Sequence, residues 1–337
     1  MTKPFSSRGL LLPLVPIYRL ALGARELSLH LRLEPVRRLR FPVISIGNLS
    51  TGGSGKTPLT IALAKALLQR GFQVDVLSRG YGRKSSLPAR VAPNGTAADF
   101  GDEPLLIARE TGTLVYVALQ RYDAGILAEA GDPAESSFRV HLLDDGFQHR
   151  QLFRDADIVL LNRHDWQDNL LPAGNLREPF NSLRRATVLA IPADDSELES
   201  ELSAWGWQGP IWRLKRTVQV PAIDGPVIAF CGIARPAQFF SGLESAGLTL
   251  ASRKAFPDHH RYTIADLEQL KANAASASAT AFITTEKDFV RLGNLDSAFS
   301  ESLPLKTVRL RIEIENESSA IDWLAGRIAP ALPHPPL

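Results

Sequence analysis

Ser50, Thr51, Gly52, Gly53, Ser54, Gly55, Lys56 and Thr57 form one run, directly after the apolar stretch Phe41–Asn48. Glycines there free the backbone to turn its N–H groups inward, making a cradle for phosphate oxygens. In such a cradle Lys56 reaches the β- and γ-phosphates of a nucleotide, and the Thr57 hydroxyl is a ligand for Mg²⁺. Pro58 and the Leu/Ala-rich segment after it predict a helix whose N-terminus faces the same anion. Serine stands at position 50, where the general G-x-x-x-x-G-K-T pattern begins with glycine. A turn that binds nothing is the plain alternative; the strand before and helix after argue for bound ATP or GTP.

Asp144 and Asp145 close another apolar run, Phe138–Asp144. In a doubly wound sheet ligands gather at the carboxyl ends of the strands, so these carboxylates fall on the side of the phosphate cradle and suit Mg²⁺. A simple Asp-Asp-Gly turn is the competing reading. Asp102 and Glu103 precede Pro104 at a predicted helix start. There they either complement the helix dipole or position and deprotonate an attacking hydroxyl. Arg79 and Arg83, among glycines, suit phosphate or headgroup contacts, or else are solvated arginines on a tight turn. Arg177 and Glu178 form a charged pair in a loop that says little alone. His259 and His260 have no third ligand nearby to make a zinc site. Thr285 and Asp288 have the spacing of a helix cap.

These residues need a frame, and the pattern supplies one. Strand-like apolar runs alternate with helical stretches, which predicts parallel α/β architecture. After the first strand come Gln73–Arg79, Thr113–Val117, Phe138–Asp144, Ile158–Leu161 and Ala186–Ile191. Trp212–Val220 reads as a ribbon strand linking two units. A second α/β run follows, with strands near 225–234, 248–256, 281–285 and 307–312. The expected organisation is an N-terminal apolar and basic helix over 1–35, a P-loop NTPase-type parallel-sheet domain over 36–212, and a smaller C-terminal α/β domain with its linker ribbon over 213–337.

The net charge of +2 hides an asymmetry: the first 40 residues carry eight Lys/Arg and two acids, the remainder 30 and 34. The basic arm contains Gly9–Gly23, too broken by Pro13, Pro16 and Arg19 for a membrane span, and it lacks a signal-peptide cleavage site. On a helical wheel Leu20, Leu27 and Leu31 share one face, while Leu22, Leu29 and Leu33 line nearly the opposite one. That pattern fits a helix in the bilayer interface with arginines on anionic headgroups; a helix buried in the protein's own core also satisfies it. Leucines rather than stacking aromatics accompany the charge, which argues against nucleic acid. Cys231 is the single cysteine. It excludes an internal disulfide and a cysteine zinc cluster, fits a reducing compartment, and is expected to be buried.

Seven segments in one order resemble the lipid A 4′-kinase (tetraacyldisaccharide 4′-kinase) family of Gram-negative bacteria. They are Gly47–Pro58, Ser78–Gly82, Gly101–Pro104, Asp144–His149, Leu171–Gly174 with Leu176–Pro179, Phe256–His259 and Thr284–Asp288. Ser50 matches the family's own form of the loop. The resemblance implies transfer of the ATP γ-phosphate to the 4′-hydroxyl of an acylated glucosamine disaccharide 1-phosphate, forming lipid IVA at the cytoplasmic face of the inner membrane. It implies Asp102 as the base and His259 as its partner across an interdomain cleft, His259 being preferred to His260 because it follows Asp258. It also implies Asp144, Asp145 and Glu178 near nucleotide and metal, and no obligatory protein partner. Two rivals are a P-loop kinase for a soluble metabolite and an ATPase that switches attachment to a membrane or partner.

Overall fold

A computed structural model describes residues 7–31, 33–52, 55–130, 138–166, 168–300 and 302–332. Its strands are β1 (Val43–Asn48), β2 (Gln73–Ser78), β3 (Ala89–Arg90), β4 (Leu114–Val117), β5 (Arg139–Asp144), β6 (Ala156–Leu160), β7 (Val188–Pro192), β8 (Ile211–Gln219), β9 (Val227–Cys231), β10 (Leu250–Ala255), β11 (Ala281–Thr285) and β12 (Leu305–Ile314). They join in the order β10-β9-β11-β12-β8-β7-β6-β1-β5-β2-β4-β3. The α/β fold with a large, mostly parallel sheet is the one expected from the sequence.

Burial explains the order. β1, β5, β6 and β9 are buried at every residue, as parallel strands covered by helices on both faces must be. β10, at one edge, alternates between half-buried and exposed residues. β8 and β12 pair antiparallel from Leu214–Ile314 to Gln219–Arg309, and so join the two parallel regions. β8 also pairs parallel with β7 over Ile211–Leu214 and therefore straddles position 212. Alternation within the apolar runs could not reveal this reversal, because strand direction is decided by long-range pairing.

The last helix, Glu317–Ile328, returns to the first region. Ile321, Leu324 and Ile328 join the core formed by Ile44, Ile46, Leu63 and Leu142. Arg70, just beyond the helix Lys56–Gln69, holds it through Asp322 and Ser318 Oγ. The expected C-terminal unit thus shares its end with the P-loop region.

At the other terminus the helix Val15–His30 has two apolar sides. Val15, Tyr18 and Leu22 pack against the core around Leu49, Phe147 and Leu183, and Tyr18 Oη donates to Arg177 O at 2.9 Å. Ile17, Leu20 and Leu27 face outward, between 57% and 75% exposed. Leu29 is half-buried, whereas Leu33 lies past the helix and is exposed. Among the described residues no helix is long and apolar enough to cross a membrane. Cys231 is fully buried, as expected.

Candidate active site

β1 delivers the chain to the phosphate cradle, and close packing fixes the approach. A Cβ at Gly47 would lie 2.5 Å from Phe147 Cβ and 2.9 Å from its backbone nitrogen, so only glycine lets the Asp144–Phe147 turn pass this near. Gly52 and Gly55 have φ of +106° and +94°, the left-handed region that glycine enters freely. Gly53 and Ser54 lie outside the described residues. The loop from Leu170 to Glu178 braces the cradle: Ser50 bridges to Leu176, and Thr51 N donates to Asn175 O at 2.8 Å.

Lys56 opens the following helix. Its Nζ donates to Asn48 Oδ1 at 3.1 Å and stands 3.6 Å from Asp145 Oδ1. Thr57 is buried beside it. Thr60 Oγ1, one turn later, donates to Asp144 Oδ1 at 3.1 Å. Asp144 lies opposite Ile46 in the β1–β5 register, so adjacent parallel strands bring the carboxylate to the cradle. Burial, then the charges of Glu103 and Asp145, push the Asp144 carboxyl up to about 7 against the pull of Lys56. Asp145 sits at φ +49°. Burial raises its pKa, but Lys56 and Arg177 outweigh it and hold the carboxyl below the usual range. Arg177 Nη1 contributes directly, at 3.1 Å from Asp145 Oδ2.

Asp102 begins the helix Asp102–Thr111 and is 5% exposed. Its Oδ2 receives Arg291 Nε at 2.7 Å and lies 3.2 Å from His259 Nδ1. Burial would raise the Asp102 pKa; the His259 hydrogen bond and the charges of Arg291 and Lys287 reverse it and hold the carboxyl far below its ordinary value. His259 is raised, chiefly by its bond to Asp102 and despite burial. Glu103 Oε1 accepts from Lys287 Nζ at 2.5 Å. Glu103 also bears electrostatically on Asp144, so the Asp102 helix and the phosphate cradle are neighbours.

His259 is held in a left-handed conformation, φ +58°, with its N–H donating to Gly232 O at 3.1 Å. His260 turns away, placing Nε2 3.0 Å from Asp266 Oδ2 and stacking on Phe256. Asp288 does more than cap a helix. It accepts from Gly232 N, Tyr262 Oη and Arg291 Nη1, each at 3.0 Å, and from Thr285 Oγ1 at 2.7 Å. Arg291, Lys287, Asn48 and Arg177 in this role were not read from the sequence. The only hints were charges inside the short helix Glu286–Leu292 and in the Leu171–Pro179 loop.

Glu178 is buried and paired with Arg185. Among the described residues no three His, Cys, Asp or Glu side chains converge as a metal cage. Mg²⁺ needs no such cage, since it keeps several waters and takes one or two carboxylates plus phosphate oxygens. Asp144, desolvated among other carboxylates, and Thr57 fit such a partial ligand set.

A strand, glycine loop and helix, with aspartates on the adjacent parallel strand, define a nucleotide-binding protein of the P-loop kinase class. The profile of the family described as tetraacyldisaccharide-1-P 4′-kinase matches residues 7–329. The chain belongs to that family. It is 41% identical over 321 residues to the tetraacyldisaccharide 4′-kinase of Koribacter versatilis, covering 92% of this chain and 96% of that one. Identity to the Desulfotalea psychrophila enzyme of the same name is 35% over 330 residues, covering 90% and 92%. Among solved structures, LpxK from Aquifex aeolicus, described as in complex with ATP, superposes with a TM-score of 0.74 at 30% identity, covering 96% of this chain and all of that one.

Proposed function

We propose that the chain transfers the γ-phosphate of ATP to the 4′-hydroxyl of a tetraacyldisaccharide 1-phosphate, giving lipid IVA. The observation that carries this reading is Asp102, paired with His259 from the other sheet region and electrostatically adjacent to the phosphate cradle. In the proposed step Asp102 accepts the hydroxyl proton as the sugar oxygen bonds to the γ-phosphorus. The bond to the β–γ bridging oxygen breaks and ADP leaves. Lys56 and the loop amides take up charge on the transferring group, the main demand of phosphoryl transfer. His259 orients Asp102. Thr57 and Asp144 would hold Mg²⁺, with Asp145 and Arg177 fixing Lys56 and Glu178 supporting the loop through Arg185. Bound there, Mg²⁺ neutralises phosphate charge.

We further propose that 1–35, 36–212 and 213–337 act as an anchor and two bodies whose approach closes the site, excluding water from ATP. The outward leucines of the N-terminal helix would rest in the inner leaflet, at the cytoplasmic face. Acyl chains leave a bilayer at a cost of about 0.8 kcal/mol per CH₂, so the enzyme must go to its lipid.

The test is incubation with γ-labelled ATP, Mg²⁺ and detergent-dispersed tetraacyldisaccharide 1-phosphate. Label in the lipid, lost in Lys56→Ala, is expected. Label released only as inorganic phosphate would replace the kinase by an ATPase switch.

A further inference from the structure

The short helix Glu286–Leu292 reaches the site from the second sheet region and carries a cation that the proposed step leaves unused. Lys287, on its first turn, is half-buried. Among the described residues its Nζ donates a single hydrogen bond, to Glu103 Oε1 at 2.5 Å. An ammonium group has three N–H donors, so two remain for a ligand. The neighbouring arginines are already committed. Arg291 holds Asp102 through Nε, and Gly232 O with Asp288 through Nη1. Arg177 Nη1 is divided between Asp145 and Gln148.

The charge of Lys287 is felt on both sides of the reacting centre. At Glu103 desolvation raises the carboxyl, and Lys287, helped by Lys56 from the cradle, reverses the shift although Asp102 opposes. Lys287 also acts on Asp102, behind the stronger effects of burial, the His259 bond and Arg291. On the cradle side it acts on Asp144, where burial, Glu103 and Asp145 prevail and the net shift is upward. Coulombic influence falls with distance. A cation that bears on the hydroxyl base at one end and on the cradle aspartate at the other therefore lies along the path of a phosphoryl group passing between them.

The work of joining the two regions has other holders. Arg311 Nη2 ties Glu110, near the far end of the helix Asp102–Thr111, at 3.0 Å and Glu286 at 3.3 Å. Val290 is buried in the core that contains Leu105 and Leu106, and Arg291 fixes the near end through Asp102. A partly exposed ion pair such as Lys287 with Glu103 adds little to stability. Docking of the helix does not require it.

We propose that Lys287 is a second phosphoryl-binding cation, contacting the γ-phosphate with its two remaining N–H groups and stabilising the charge on the equatorial oxygens during transfer, while Glu103 aims the ammonium. The inference rests on the kinase reading only for the identity of the acceptor, because transfer to water makes the same electrostatic demand. The sugar oxygen bonds to phosphorus, its proton passes to Asp102, and the bond to the bridging oxygen of ADP breaks. Lys287 stays protonated throughout.

The test is a double-mutant cycle on Lys287→Met and Glu103→Gln in the full-length protein. It is read by single-turnover transfer from γ-labelled ATP, by ATP affinity at equilibrium and by the urea midpoint. Lys287→Met should slow transfer by about 10²- to 10³-fold, the loss typical of one preorganised donor, with a far smaller change in ATP affinity. Lys287→Arg should recover part of the rate. In the Glu103→Gln background, removing Lys287 should still cost at least about tenfold. A cost that vanishes there would show that Lys287 only neutralises Glu103, and would overturn the proposal. A loss confined to ATP affinity would overturn it too. The double variant leaves neither partner charged and unpaired, so it remains decisive where Lys287→Met alone lowers the midpoint. Label delivered by the wild type to lipid or to water decides between kinase and ATPase; the ratio of variant to wild type in that same product decides the role of Lys287.

Discussion

His259 Nδ1 and Asp102 Oδ2 stand 3.2 Å apart although 157 residues separate them in the chain. Asp102 comes from the P-loop region of the sheet and His259 from the turn after β10. Arg291 completes the cluster, reaching Asp102 through both Nε and Nη2 while its Nη1 is fixed by Asp288. An arginine so placed makes Asp102 a weak base in this arrangement. It suits a reaction in which the hydroxyl is oriented first and its proton leaves late, as bond breaking to the leaving phosphate runs ahead.

Asp102→Ala should therefore lower kcat by roughly 10²- to 10⁴-fold, the range for a positioned acid–base group, with the KM for ATP nearly unchanged. His259→Ala should act in the same direction and less strongly, because Arg291 still holds the carboxylate. Steady-state kinetics with both substrates varied separates the two. Normal turnover in Asp102→Ala would remove it from the reaction.

Gly47→Ala should damage both stability and turnover. The added methyl overlaps Phe147 and must displace the turn that carries Asp144 and Asp145. Overpacking of this kind costs about 1–3 kcal/mol, readable as a fall in the urea midpoint. Turnover should drop further than stability alone explains, since the moved carboxylates face Lys56. A variant with unchanged midpoint and kcat would show that the turn can shift freely.

The N-terminal helix yields a separable prediction. Leu20→Glu combined with Leu27→Glu alters only its outward face and leaves Val15, Tyr18 and Leu22 on the core. Each leucine lost from an apolar phase is worth about 1.5–3 kcal/mol. Co-sedimentation with anionic vesicles should consequently fall by at least about tenfold, with thermal stability retained. Undiminished sedimentation would assign membrane contact to another surface.

His141 gives a pH signature away from the active site. It is fully buried, with Nδ1 3.3 Å from Asp75 Oδ2 and Nε2 3.3 Å from Glu129 Oε1, and Arg139 pairs with the same Asp75 oxygen at 2.6 Å. Burial lowers the histidine pKa, but the facing carboxylates of Asp75 and Glu129 outweigh it and the net shift is upward. A group raised in the folded state contributes stability fully below its unfolded value, near 6.5, and loses it as pH climbs through the folded value. The melting temperature should decline above about pH 6.5. In His141→Gln that decline should flatten. An identical pH slope in the two proteins would assign the titration elsewhere.

Much of this protein is legible in its sequence because local rules suffice for it. The run from Ser50 to Thr57 needs glycines, a lysine and a hydroxyl at fixed spacing, and the flanking segments become β1 and its helix because one is a short apolar run and the other a Leu/Ala-rich stretch behind a proline. Asp144 could be assigned to the ligand edge because parallel strands share that edge. The two apolar faces of the N-terminal helix follow from a 3.6-residue repeat. Contacts made across the fold were decided only by tertiary structure. Spacing could not separate His259 from His260; the left-handed turn at His259 and the stacking of His260 on Phe256 aim them in opposite directions. Nor could it set Arg291 on Asp102, Lys287 on Glu103 or Arg177 on Asp145, since each pair joins distant elements through the packing of the sheet. The antiparallel β8–β12 seam and the return of the last helix to the P-loop core belong to the same class. Local sequence selects which residues can do chemistry; long-range packing, paid for by burial of the whole core, selects which of them meet.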